Sequence, residues 1–235
     1  MIASLKKNAA LWLVMACGVL LDLTLMSLSL LWYPTVLGAG RASTVLVCGA
    51  MLLVYGSVGV GLPIKANPTV TTALKVGTVL GLIIGAIFVV DLIVEDFIDL
   101  GQEASSFSTL GFMALIFLCF GFAGASGTHK TSRLSLGILA SLWSALLGVL
   151  IVLLFGFLLN FLFLQRLEHL LVSDYLSSGM SDPQAFTFFN AFDSASSHLI
   201  EAPILAGICG TLGVLIMQGR IALQGRGFRF FRHGD

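Results

Sequence analysis

Four titratable side chains fall in stretches that are otherwise almost free of charge: Asp22, Asp91, His198 and Glu201. A carboxyl group inside a membrane span costs about 2.5–3.5 kcal/mol on insertion scales, and such groups usually face the interior of a helix bundle. Asp22 sits near the middle of its apolar run, with Thr24, Ser27 and Ser29 following. Its side chain is too short to snorkel to water, so it either passes a proton or cation, or makes a structural polar bond to another helix. Asp91 opens the acidic run Asp91, Glu95, Asp96, Asp99, Glu103, which reads as a wet outer rim, with a place on an ion or proton path as the alternative. His198 and Glu201 share a helical face at i, i+3, with Asn190, Ser194 and Ser197 above them. That stripe is either a polar path or the wet side of an interfacial helix. Pro203 lacks the amide hydrogen that would bond the carbonyl of Leu199, which leaves free backbone polarity beside Glu201.

Other chemistries fail on count or geometry. His198-x-x-Glu201 offers two metal ligands, and only His169 and Asp193 could join them, so neither a metal nor a cofactor is expected. Ser126 and His198 lie at opposite ends of helices running in the same direction, about 25–30 Å apart. A nucleophile and its base must meet within hydrogen-bond reach, which excludes an intramembrane serine protease. Cys17, Cys48, Cys119 and Cys209 fall in four different spans and read as small buried apolar residues.

The elements that must position these groups are set by composition. The chain has 235 residues, 57% hydrophobic and only 10% charged, with a mean hydropathy of +1.02. Soluble domains carry about 25% charged residues. One soluble core could not hide so much apolar side chain, so the solvent must be lipid. A soluble enzyme, a nucleic-acid binder, a disordered chain and a disulfide scaffold are excluded. Six helices are predicted, at roughly 9–32, 44–63, 74–94, 109–127, 135–160 and 199–218. Each is near the ~20 residues needed to cross the hydrocarbon, and none shows the alternation of a membrane barrel.

Charge orders the ends of these spans. Lys6, Lys7, Lys65, Lys75, Lys130, Arg133, Arg220, Arg226, Arg229 and Arg232 fall on one side, and only Arg41 and Arg166 on the other. The positive-inside rule then places both termini in the cytoplasm. The inner membrane of a bacterium is the expected location. Lys6–Lys7 before an apolar run resembles a signal peptide, but the run continues to Trp32, so an uncleaved first span is expected. The basic tail, with Arg220, Arg226, Arg229 and Arg232 among Phe228, Phe230 and Phe231, reads as an anchor on anionic lipid, or as a docking site for a cytoplasmic partner.

Small residues set the packing. Gly77, Gly81 and Gly85 form a ladder on the third span, and Gly207, Gly210 and Gly213 a face on the sixth. Without a hydrophobic force between helices in lipid, close backbone approach supplies the contact. The expected contacts are intramolecular, with a homodimer face as the alternative. Residues 161–197 are the one long extramembrane insertion in a single membrane domain spanning 1–235. The fifth helix is predicted to continue to about Leu176, and Ser177-Ser178-Gly179 to break it. Asp182-Pro183 restarts a helix, as an N-cap carboxylate before a first-turn proline. A helical hairpin on the outer side follows, and the long last helix should bend at Pro203.

One stretch carries a family likeness. Ala202-Pro203-Ile204-Leu205-Ala206-Gly207-Ile208-Cys209-Gly210-Thr211-Leu212-Gly213 resembles the Ala-Pro…Gly-x-x-Gly-Thr-x-x-Gly pattern of the MotA/TolQ/ExbB proton-channel family. The resemblance covers about a dozen residues, with the glycine spacing shifted by one, and no second helix of this type or large cytoplasmic segment follows. It implies an ion path and a pore-facing hydroxyl at Thr211. The sequence thus predicts an all-α, six-span, N-in/C-in bundle that conducts or transports a proton, cation or small solute. The alternative is a non-catalytic membrane subunit of a larger complex. Lipids, a second copy or a membrane-complex partner are the expected partners, and nucleic acid is not.

Overall fold

The computed structural model describes residues 8–38, 41–98 and 100–230, with side chains at all of these except 102 and 224–230. Lys6, Lys7, Asp99 and Arg232 therefore lie outside the described residues, as do the side chains of Arg226 and Arg229. The elements are α1 (Ala9–Trp32), a 3-10 turn (Pro34–Leu37), α2 (Ala42–Lys65), α3 (Pro68–Phe97), α4 (Gln102–Thr131), α5 (Leu134–Leu162), α6 (Leu164–Leu170), α7 (Val172–Ser178) and α8 (Pro183–Phe230). No strand occurs among the described residues. Six helices, α1 to α5 and α8, are long and apolar enough to cross a membrane. The chain is an all-helical integral membrane protein.

Local chemistry starts and stops these helices. Asn67 caps α3, its Oδ1 accepting from the Val70 amide at 2.9 Å, with Pro68 in the first helical position. Asp182 does the same for α8, accepting from the amides of Gln184 (3.0 Å) and Ala185 (3.2 Å). Gly101, at φ +71°, turns the chain from α3 into α4, and Gly179, at φ +69°, ends α7. Both positions favour glycine because a Cβ is strained there.

α5 is the central helix. Half of its most apolar window is buried (50%), against 22% for α4. α3 lies along it through glycine: Gly77 meets the backbone of Ala140 and the ring of Trp143, Gly81 meets Ser144 and Leu147, and Gly85 meets Ile151. α4 and α8 touch backbone to backbone, Gly124 against Gly210 and Gly121 against Gly213. Gly207 makes no such approach, its nearest neighbour being the tip of Leu142. Ser141 of α5 sits where these three helices meet, its hydroxyl within hydrogen-bond reach of the carbonyls of Phe120 (3.0 Å) and Ala206 (2.8 Å). α1 and α2 pair through Gly59 over Met15 and Gly56 over Val19.

One end of the bundle is tied by Asn8. Its side-chain amide donates to the Pro63 carbonyl (2.9 Å), and its Oδ1 accepts from the Thr71 hydroxyl (3.3 Å). The other end carries α6 and α7, folded against the start of α8. Here the structure departs from a continuous fifth helix, which breaks at Phe163 and again at Leu171. The first break lets Phe163 meet Phe97 edge to face at 5.0 Å and swings Arg166 over the Phe97 ring at 4.9 Å. From there Arg166 donates to the carbonyls of Asp96 and Phe97, at 3.3 Å each, which the end of α3 would otherwise leave open. Arg41 does likewise for α7, donating to Ser178 O at 2.9 Å while lying over Phe189. The two arginines that stand apart from the other basic residues thus each cap a helix C-terminus, where a cation is favoured.

Candidate functional site

α8 is roughly 60 Å long from Pro183 to Leu223, and it runs through Pro203 without interruption. The carbonyl that the proline leaves without a helical donor is that of Leu199. Tyr55 of α2 supplies the missing donor, its hydroxyl 2.8 Å from Leu199 O in a buried setting. Tyr55 was not legible as a functional or structural partner, because nothing in its own helix points to Pro203.

Beside this stretch, on the α5 side, a cavity of about 260 Å³ opens between the last turns of α3, the end of α5, α6 with the residue that follows it, and the first half of α8. Glu95 and Asp96 of α3 and Asn160 of α5 face it with His198 of α8. Thr187, Asn190 and Ser194 continue the polar lining along α8, while Val152, Phe157 and Leu167 are among its apolar walls. Asn160 is buried, and its side-chain amide nitrogen donates to Gly156 O at 2.8 Å. Its Oδ1 has no partner. His198 packs against the Phe88 ring at 5.5 Å, with Glu95 and Glu201 as its nearby carboxylates. Just outside the spans, burial first and then the charges of Asp182 and Glu168 push the Tyr33 phenol above its usual range. It therefore stays a neutral hydroxyl, stacked on Phe188 at 4.7 Å.

Of the four titratable groups singled out in the spans, only His198 lines this cavity, with Asn190 and Ser194 of the polar stripe above it. Glu201 is exposed on the helix surface one turn further along α8. Asp91 is half-buried one turn before Glu95, outside the lining. Thr211 turns its hydroxyl back to its own helix, donating to Gly207 O at 2.7 Å. Asp22 is fully enclosed (0% exposed), and neither carboxyl oxygen has a hydrogen-bond partner. Its neighbours in sequence do not serve it: Thr24, Ser27 and Ser29 each bond a carbonyl of their own helix at 2.7 Å. Close to Asp22 lies the Cys48 thiol, itself 3.9 Å from Met26 Sδ. Arg220 is exposed at the far end of α8. Among the described residues, no group of three or more His, Cys, Asp or Glu is placed to hold a metal.

Sequence reading missed Asn160 and the place of Glu95 and Asp96 on the cavity lining. Asn160 had a signal, as the lone amide at the end of an otherwise apolar span. A second recess, at the opposite end of the bundle, contains Thr128 and Gln218. The buried Thr128 hydroxyl has no partner either. Between the two recesses stand the glycine contacts of α4 with α8. No family model, no curated protein and no solved structure matches the chain.

Proposed function

We propose that this chain is a transporter-like membrane protein that takes up a proton, cation or small solute through the cavity between α3, α5 and α8. The observation that carries this reading is the cavity itself. Two carboxylates, an imidazole and the Asn160 amide line it, in a chain of which only 10% is charged. Polar groups at membrane depth are expensive and mark substrate or ion paths. The close α4–α8 contact at Gly124 and Gly210 suggests a carrier that must part these helices, rather than an open pore. Pro203 stands between the cavity and that contact on α8. Asp22 is proposed as a titratable relay inside the bundle, and the likeness of 202–213 to proton-channel helices supports the same class of activity. The charge asymmetry supports an orientation with both termini in the cytoplasm and the cavity facing outward.

Flux of protons and monovalent cations in reconstituted liposomes tests this reading. Asp96→Asn and Asp22→Asn are expected to fold normally and to lower flux strongly, since an amide hydrogen-bonds but does not titrate. Wild-type flux in both variants would remove the transport reading. A membrane-subunit role is the second reading, favoured by α4: no described residue of it from Glu103 to Leu115 is buried. Native mass after gentle extraction, showing stable association with other chains, would put that reading first.

A further inference from the structure

We infer that Met26 of α1 and Cys48 of α2 hold a soft monovalent metal ion, Cu(I) or its analogue Ag(I), inside the bundle, with the Asp22 carboxyl as third ligand. The inference shares Asp22 with the proposed transport reading, but binding does not depend on flux. The first argument is placement. Asp22 and Met26 lie one turn apart on the buried stripe of α1, and Cys48 lies on the buried stripe of α2. Asp22 and Cys48 are fully enclosed, and Met26 is 4% exposed. Cys48 Sγ is 3.9 Å from Met26 Sδ, and the Asp22 carboxyl lies close to the thiol. Neither oxygen of that carboxyl has a partner. An unpartnered polar group in hydrocarbon costs several kcal/mol, and the hydroxyls of Thr24, Ser27 and Ser29 are committed to their own helix.

The second argument is geometry and softness. A metal bonded at about 2.3 Å to each of two sulfurs 3.9 Å apart subtends an angle of about 115°. That is close to trigonal coordination, which leaves one position for an oxygen of Asp22. Thiolate and thioether ligands select soft ions, whereas magnesium and calcium take oxygen ligands. Zn(II) takes four ligands in a closed structural site, or three and a water. Among the described residues no three His, Cys, Asp or Glu come together, so the third donor here is the thioether, which narrows the choice to Cu(I) and Ag(I). Charge agrees. From a neutral thiol and a neutral carboxyl, the Sγ–H bond breaks and an Sγ–metal bond forms. One proton leaves to water by way of the Asp22 carboxyl as one monovalent cation enters. The site is neutral before and after, and no electron is transferred.

Competition with bicinchoninate for Cu(I), run anaerobically to equilibrium on the detergent-solubilised full chain, tests the assignment. The background is Cys17→Ser, Cys119→Ser and Cys209→Ser, which leaves Cys48 as the single thiol. One Cu(I) per chain is expected, with one proton released, and none after Cys48→Ser. Asp22→Asn and the volume-conserving Met26→Leu should each weaken binding by about 10-fold or more, at least the loss seen when a partner of a metal ligand is removed. Met15→Leu removes another buried thioether of the same stripe, about two turns from Asp22, and should leave binding unchanged. X-ray absorption of the loaded chain should show two sulfurs and one oxygen, which carries the test if Cys48→Ser fails to fold. No Cu(I) binding, binding that survives Cys48→Ser, unaltered affinity in Met26→Leu, or a single sulfur in the absorption spectrum would overturn the proposal. Proton flux that depends on Asp22 without any Cu(I) binding would also overturn it, while leaving the transport reading standing. Binding as expected, with wild-type flux in Asp22→Asn and Asp96→Asn, would support the site and remove the transport reading.

Discussion

Tyr55 shows how a single hydroxyl is committed when a proline interrupts a membrane helix. Leu199 O cannot bond residue 203, lipid offers it no donor, and Tyr55 reaches it from α2. Tyr55→Phe is therefore expected to lower stability by about 0.6–1.7 kcal/mol, the range of measured hydrogen bonds in membrane proteins. In a Pro203→Ala background, the new amide at 203 can bond Leu199 O within the helix, so the cost of Tyr55→Phe should shrink toward zero. Equal costs in both backgrounds, read from denaturation in detergent, would break the link between the two residues. The open carbonyl was legible in the sequence, since proline chemistry is local. Its partner was not, because α2 and α8 are joined only by the fold. Asp182 is the opposite case: the cap, its proline and the helix are contiguous, so sequence alone specifies the start. Asp182→Ala should cost about 1 kcal/mol of local stability. Hydrogen exchange checks it, with the amides of Gln184 and Ala185 losing protection while membrane insertion is retained.

Between elements, glycine sets the spacing. A Cβ at Gly81 would come within 2.9 Å of both Ser144 O and Leu147 Cβ, so α3 and α5 would have to separate. Gly81→Ala is expected to destabilise by about 1–3 kcal/mol, the usual cost of overpacking. Gly111→Ala on the open half of α4 meets nothing within 4 Å and should be neutral or slightly stabilising, as alanine is the better helix former. Gly207→Ala should also be tolerated, because only Leu142 lies near it, at 3.9 Å. Thermal stability of the three variants in detergent decides the matter, and equal losses at all three would show that glycine acts through helix propensity instead of contact. Spacing by four in α3 was enough to see its ladder. It could not distinguish Gly207 from Gly210, because which side of α8 faces α4 depends on where Ser141 and Phe120 lie. The break at Phe163 was equally hidden: no glycine or proline marks it, and its reward is the distant Phe97 ring and the end of α3.

At the scale of the whole molecule, the bundle has two unlike ends. The Asn8 end gathers Lys65, Lys75, Lys130, Arg133 and Arg220, while the α6–α7 end carries the acidic residues around the cavity. The six spans were legible because hydrocarbon demands about 20 apolar residues for each crossing, whatever the packing. The cavity was not, since its walls come from three stretches far apart in sequence, α3, α5 with α6, and α8. Arg41 and Arg166, which blunt the charge pattern when read as a list, are tied to the C-terminal carbonyls of α7 and α3. They are consumed within the protein, and the asymmetry on which the proposed orientation rests belongs to the other basic residues. On the proposed orientation, membrane insertion keeps the lysine-rich end in the cytoplasm. A cysteine-free background with single cysteines at Ser177 and Ser135, both exposed and at opposite ends, tests this in intact cells. An impermeant maleimide should label the cysteine at 177 directly, and the one at 135 only after the membrane is opened. Labelling at 135 from outside would invert the bundle, turn the acidic cavity toward the cytoplasm, and require that the proposed solute be exported from that side.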